Sequence, residues 1–192
     1  MALRKKTLDV LDAGISEKHD IYLASPVEMR ERFFSESFWL DSSNWEKYFS
    51  ELASIDFKWE EFKYSEISID NQIENVIPTN ETGIYMFFVK PNNLIFDMPK
   101  FVLYIGIAGE NDKLRPVRER LKDYFNFNSV KKRGAILRLL QKYYKNTYIA
   151  YSLLSYDTIE LKRIETALLG YFYPKPNKDD FPIELKPVKK SF

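Results

Sequence analysis

Glu165 is the side chain whose chemistry fits its sequence surroundings least. With about 100° of rotation per helical residue, its carboxylate falls within about 60° of four apolar side chains on one helix face: Leu161, Leu168, Leu169 and Phe172. Burying an unpartnered carboxylate costs several kcal/mol, so Glu165 requires an ion-pair partner, a bound cation or an opening to solvent at a site. A salt bridge to an arginine and a functional site are both consistent with this pattern. The chain has no Cys and a single His, so any catalytic metal must be bound by carboxylates.

Two further candidates for chemistry are the tyrosines of two mirrored triplets. Gly83-Ile84-Tyr85 and Tyr104-Ile105-Gly106 each lie in an apolar run, and the runs are separated by the breaker Pro91-Asn92-Asn93. Neighbouring antiparallel strands would hold the two phenols on one surface. A purely hydrophobic sheet would not need them there.

Positive charge is concentrated in one stretch. Residues 1–82 carry 9 Lys and Arg against 17 Asp and Glu, whereas residues 83–192 carry 20 against 11. Between residues 113 and 145 there are 11 basic side chains and two acidic ones. Such a stretch suits a phosphate backbone, and a solvated basic helix surface is the alternative. The candidate nucleic-acid contacts are Lys113, Arg115, Arg118, Lys131, Lys132, Arg133 and Arg138.

The sequence predicts that these residues lie on strands and helices in the order ββααβα. Residues 83–89 and 101–108 read as two strands, residues 114–125 and the apolar positions 136–143 as two helices, and residues 147–154 as a third strand. Asp157, with Glu160 three positions later, predicts the start of the helix that carries Glu165. The predicted fold class is α+β, with a small three-stranded antiparallel sheet flanked by helices.

The first 80 residues read as a mostly helical extension. Ser25 and Ser43 each begin a capped helix, and the second would present Trp45, Phe49 and Leu52 on one face. Partial alternation in the acidic stretch 56–77 favours a strand. The chain is thus divided into an extension (1–80), a main domain (81–180) and a tail (181–192). No stretch is apolar enough for a signal peptide or a membrane span, so we expect a cytoplasmic protein without a membrane partner.

The motifs together resemble the GIY-YIG nuclease superfamily over residues 83–178. Its two triplets correspond to residues 83–85 and 104–106, and its helix with an arginine followed four residues later by Tyr or His corresponds to Arg120 and Tyr124. Its glutamate-bearing helix, followed by an Asn after a proline-containing segment, corresponds to Glu165 and Asn177.

This resemblance implies a DNA endonuclease that hydrolyses phosphodiester bonds with one Mg²⁺ or Mn²⁺. Glu165 would hold the metal, Arg120 would pair with the phosphate, and Tyr85 would be the general base for the attacking water. Tyr104 and Tyr124 would orient water and phosphate, and Asn177 would brace the site by hydrogen bonding. The chain departs from several relatives by having Ile107 where they have Lys, and by a longer connection, 91–100, between the triplets.

Several kinds of nuclease remain open. A chain of this size with an N-terminal extension and an enlarged hairpin looks most like the restriction type, which often acts as a homodimer. The alternatives are a structure-specific repair nuclease and a catalytically inactive nucleic-acid-binding or adaptor module on the same fold. Metal dependence separates a nuclease of either kind from the inactive module, because only a nuclease requires Mg²⁺ or Mn²⁺ through Glu165.

Overall fold

An antiparallel sheet with helices on both faces forms the centre of the described chain. The computed structural model describes residues 42–67, 70–77, 81–90, 100–109, 115–177 and 181–187. In chain order the elements are α1 (Ser42–Ala53), β1 (Glu60–Lys63), α2 (Asp70–Val76), β2 (Gly83–Val89), β3 (Phe101–Ala108), α3 (Val117–Lys122), α4 (Phe127–Lys131), α5 (Gly134–Tyr143), β4 (Thr147–Leu153) and α6 (Thr158–Phe172). Short 3₁₀ turns follow β1, α3 and α5, and a fourth spans Ile183–Leu185. The fold class is α+β, as the sequence predicted.

The sheet has four strands instead of the predicted three, in the order β1-β4-β2-β3. The additional strand, β1, comes from the segment that was assigned to the N-terminal extension, and it pairs antiparallel with β4. Two of its four residues are exposed and two are half-buried, which an edge strand tolerates because only one side of it pairs. The strand lies within the stretch 56–77, where partial alternation favoured one, but nothing in the sequence indicated that it pairs with residues some 90 positions later.

The sheet separates two hydrophobic clusters. One face packs alternate residues of β2 and β4, such as Tyr85, Phe87 and Ile149, against α3, α5 and the turns beside them. The other face packs Ile84, Met86, Ile105 and Ile107 against α6. Because alternate side chains of a strand point to opposite faces, each strand of the hairpin contributes to both clusters.

Most elements of the main domain agree with the predicted ones. Strands β2 and β3 have the predicted bounds, and α6 begins after Asp157, whose carboxylate accepts a hydrogen bond from the Glu160 N–H at 2.8 Å. Helix α3 is shorter than predicted, because its last turn is a 3₁₀ turn at residues 123–125. Helix α4 was not predicted, and the side chain of Asn126 caps it. None of these described helices is long and apolar enough to cross a membrane.

Helix α1 exists as predicted but packs through a different side. Of the predicted apolar face, Leu52 packs against the core, whereas Trp45 and Phe49 are 37% and 60% exposed, and the buried residue of the helix is Tyr48. The reason is Gly170 of α6, where a Cβ atom would lie 2.3 Å from the Tyr48 ring. The absence of a side chain at that position lets α1 approach α6 through Tyr48. The helix predicted to begin at Ser25 lies outside the described residues.

Candidate nuclease active site

The register of the β2–β3 hairpin places the two signature tyrosines on one face. Tyr85 lies opposite Gly106, and Tyr104 lies opposite Phe87, so Tyr85 and Tyr104 are diagonal neighbours. Their ring centroids are 6.4 Å apart. Tyr85 is fully buried and Tyr104 is half-buried. The hairpin therefore fixes two phenols side by side, as the mirrored triplets suggested.

The glycines of the triplets are required by close packing. A Cβ atom on Gly106 would lie 2.6 Å from the Tyr85 hydroxyl oxygen and 2.7 Å from its Cζ. On Gly83 it would lie 2.2 Å from the backbone oxygen of Ser152 in β4. Gly106 makes room for the Tyr85 ring across the hairpin, and Gly83 allows β4 to pair closely with β2. Gly106 is thus part of the site, although the sequence had indicated only the tyrosine of its triplet.

The Tyr85 hydroxyl lies between a phenol and a guanidinium. Its oxygen is 2.8 Å from the hydroxyl oxygen of Tyr124, and Arg120 Nε donates to it at 3.4 Å. Burial raises the pKa of Tyr85 well above its ordinary value of 10.0, and Tyr104 adds to the rise, whereas Arg120 and the hydrogen bond with Tyr124 oppose it. The phenol is therefore protonated at neutral pH.

Tyr124 supports Tyr85 from behind. It is fully buried in the 3₁₀ turn after α3, and burial raises its pKa well above the ordinary value. Tyr64, from the turn after β1, donates to the Tyr124 backbone oxygen at 2.6 Å and stacks on Phe125 with centroids 4.7 Å apart. Tyr124 thus contacts Tyr85 but does not line the cleft. Tyr64 was missed from the sequence, because its partner lies 60 residues away.

Asn177 covers the outer edge of β3. Its Oδ1 accepts from the Ile105 N–H at 3.0 Å, and its Nδ2 donates to the Ile105 carbonyl at 2.8 Å. These two groups are on the side of β3 that no described strand pairs with, and Asn177 is itself buried. The side chain therefore satisfies the strand edge as another strand would, which is the bracing role that the resemblance implied.

At this edge a cleft of about 510 Å³ brings together residues from both faces of the sheet. Tyr85, Tyr104 and Arg120 reach it from one face, and Glu165 of α6 reaches it from the other, around β3. Glu165 is only 6% exposed, which confirms the burial expected from its helix face. Five of the six predicted site residues line this cleft: Tyr85, Tyr104, Arg120, Glu165 and Asn177. Ile107, the departure from several relatives, lines it too.

The residues predicted to contact nucleic acid differ in whether they line the cleft, are ion-paired or lie elsewhere on the surface. Lys132 and Arg133 line the cleft, together with the first residues of α5, where N–H groups lack intrahelical partners and carry partial positive charge. Arg133 also lies 4.7 Å above the Tyr124 ring. Arg115 is paired with Asp123 at 2.8 Å. The other described positions are half-buried (Arg118) or exposed (Lys131 and Arg138), and Lys113 lies outside the described residues.

The cleft suits a cation that uses few protein ligands. Glu165 is the acidic side chain among the described residues that line it, and the described part of the chain holds no group of three or more His, Cys, Asp or Glu residues that could form a closed metal site. Mg²⁺ usually keeps several waters and is bound by one or two carboxylates together with substrate phosphates. A single carboxylate in a cleft lined by cations and phenols fits that mode of binding.

Comparison of the chain with known proteins found no similar protein. No protein-family model, no curated protein and no solved structure matches the chain.

Proposed function

We propose that this protein is a metal-dependent DNA endonuclease of the GIY-YIG type, which hydrolyses phosphodiester bonds in the cleft at the edge of β3. The observation that carries the proposal is the meeting of Tyr85, Tyr104, Arg120 and Glu165 in one cleft. These residues come from four elements and from both faces of the sheet. A plain hydrophobic core would not bring two phenols, a guanidinium and a buried carboxylate to a common opening.

In this proposal the cations of the cleft bind the scissile phosphate. Arg120 is permanently charged and half-buried, so its attraction for a phosphate is screened less than that of an exposed arginine. Its guanidinium is held against the Tyr85 oxygen, which fixes its position before substrate arrives. Lys132 and Arg133 line the same cleft and would contact the phosphates on either side.

The tyrosines position the attacking water. Without bound metal the Tyr85 phenol is protonated, and its oxygen can accept a hydrogen bond from water while Arg120 and Tyr124 hold the phenol in place. Glu165 would hold Mg²⁺ or Mn²⁺, which when bound supplies a Lewis acid for the phosphoryl oxygen. The positive charge of the metal ion, with that of Arg120, would also lower the pKa of Tyr85 toward the range in which the phenol acts as a general base.

Digestion of a long linear DNA of known sequence, with and without Mg²⁺, tests the proposal. We expect metal-dependent cleavage by the wild type, loss of cleavage in Glu165→Ala and Arg120→Ala, and retention in Glu160→Ala, which removes an exposed carboxylate from the same helix. Discrete fragments would indicate sequence specificity of the restriction type. Intact DNA, together with metal-independent binding in a shift assay, would refute the nuclease and favour the binding module.

A further inference from the structure

A second cavity adjoins the cleft along α5. It measures about 290 Å³ and shares Ala135 and Pro176 with the cleft. We call it the flanking pocket. Its other walls combine apolar side chains with cations: Leu103, Leu139 and Tyr143, and Arg138, Lys142 and Lys175.

The apolar wall is the distinguishing feature of the flanking pocket. Leu103 and Leu139 are 7% and 5% exposed, and Tyr143 is half-buried. Leu103 and Leu139 belong to the core, so Tyr143 has the largest exposed fraction of the three. A paired base hides its faces in the duplex stack, so a duplex lying over this pocket would leave the exposed part of Tyr143 in contact with water. An unpaired base has a free face for such a wall. The volume is at the low end of the roughly 300–1,000 Å³ of small-ligand pockets, which suits one nucleotide.

The cations are arranged around that wall. Arg138 and Lys142 are four residues apart on α5 and therefore neighbours on its surface, whereas Lys175 comes from the segment after α6. Among the described residues that line the pocket, none is acidic. The pocket thus offers positive charge from two sides of an apolar surface, which complements a base with a phosphate on each side.

From this geometry we infer that the flanking pocket binds one unpaired DNA nucleotide next to the scissile phosphate. The inference rests on the proposed function for the position of that phosphate in the cleft. The nucleotide comes either from a single-stranded flank or from extrusion out of a duplex, and both sources present the same chemistry, a free base face between two phosphates.

Binding measurements in EDTA, where metal-dependent cleavage does not occur, test the inference. Fluorescence anisotropy would compare a blunt duplex with a duplex that carries a single-stranded tail and a duplex with one bulged nucleotide. We expect the wild type to prefer one or both unpaired substrates by about 10-fold, within the range of one base stacked on an aromatic side chain. Preference for the tail alone identifies a single-stranded flank, and preference for the bulge alone identifies extrusion.

Two controls show whether a base in the flanking pocket causes the preference. Abasic residues in the tail or bulge keep the phosphates and should remove the preference. Lys142→Ala/Lys175→Ala should weaken binding to the preferred substrate and flatten its salt slope by about 1.4, at about 0.7 for each single-strand phosphate contact. Lys145→Ala/Lys186→Ala removes the same charge from exposed positions outside the pocket and should leave the preference intact.

The outcomes separate this inference from the proposed function. Equal affinity for paired and unpaired substrates, or a preference that survives abasic substitution, would overturn the inference while leaving Mg²⁺-dependent cleavage untouched. These two results need only the wild-type chain and do not depend on how the variants fold. A base-dependent preference without any cleavage would support the flanking pocket and refute the nuclease.

Discussion

Substitution of Gly106 by alanine should disrupt the site through a single contact. The added Cβ would lie 2.6 Å from the Tyr85 hydroxyl oxygen and 2.7 Å from Cζ, whereas non-bonded carbon atoms prefer about 3.5–4.0 Å. The Tyr85 ring or the β3 backbone must therefore move by about 1 Å. Tyr85 is fully buried and hydrogen-bonded to Tyr124, so a shift of the ring would disturb its packing and that hydrogen bond.

The expected cost follows from overpacking. Forcing extra methylenes into a packed core costs about 1–3 kcal/mol, so we expect the free energy of unfolding to fall by about 2 kcal/mol. For a chain of 192 residues this lowers the melting temperature by about 4–8 °C. A displacement of about 1 Å in a catalytic group also reduces the cleavage rate by about 100-fold. Thermal unfolding and single-turnover cleavage measure the two effects.

Gly134→Ala is the matched control for Gly106→Ala. Gly134 lines the same cleft, but the nearest atom to its added Cβ is Arg138 Nη1 at 3.8 Å, an ordinary contact. Because alanine is the better helix former, this variant should be as stable as the wild type or more stable by up to about 1 kcal/mol. In a Tyr85→Leu background, which lacks the clashing ring atoms, Gly106→Ala should lower the free energy of unfolding by less than about 0.5 kcal/mol. Equal costs in both backgrounds, or equal stability of Gly106→Ala and Gly134→Ala, would show that contact with the Tyr85 ring does not cause the loss.

Three further predictions concern the residues that support the site. Asn177→Ala should lower the free energy of unfolding in urea by about 2–4 kcal/mol, because it leaves the Ile105 N–H and carbonyl without their side-chain partner; a loss below about 0.5 kcal/mol would contradict this. Tyr64→Phe keeps the stack on Phe125 but removes the hydrogen bond to Tyr124, and should cost about 1–2 kcal/mol, whereas Tyr156→Phe at an exposed position should cost nothing measurable. Burial and the hydrogen bond to Glu184 raise the pKa of Tyr48 from 10.0 to about 12. As the pH rises, the phenol therefore loses its proton in the unfolded chain first, and the stability that Tyr48 contributes below pH 10 is lost between pH 10 and 12. Tyr48→Phe should reduce the fall of the melting temperature between these two pH values, and an unchanged fall would contradict the prediction.

The parts of the fold that could be predicted carry local signals. The bounds of β2 and β3 follow from apolar runs that begin or end near glycine and proline, and the start of α6 follows from the cap at Asp157. The burial of Glu165 follows from helical periodicity, since its neighbours on the helix face are mostly apolar, with Lys162 as the charged one.

The parts that could not be predicted depend on distant partners. Strand β1 pairs with a segment some 90 residues away, and Tyr64 reaches Tyr124 across 60 residues. The sequence predicted that α1 packs through Trp45 and Phe49, but Gly170 leaves room for Tyr48 instead. Tyr124 was expected beside the substrate, but a 3₁₀ turn places it behind Tyr85. Helical spacing alone does not show where such a turn replaces the last turn of a helix.

Single-turnover rates of DNA cleavage in saturating Mg²⁺, measured for the wild type and for Glu165→Gln, decide whether this cleft is a nuclease site. Glutamine keeps the shape of the side chain and removes the charge that would hold the cation. Because metal polarisation of a phosphoryl oxygen contributes several kcal/mol, the rate should fall by roughly 10³-fold while DNA affinity stays within a few-fold. Glu160→Gln, on the exposed side of the same helix, should keep the wild-type rate. A wild type that leaves DNA intact, or a Glu165→Gln variant that cleaves at the wild-type rate, would contradict the assignment of this cleft as a nuclease site.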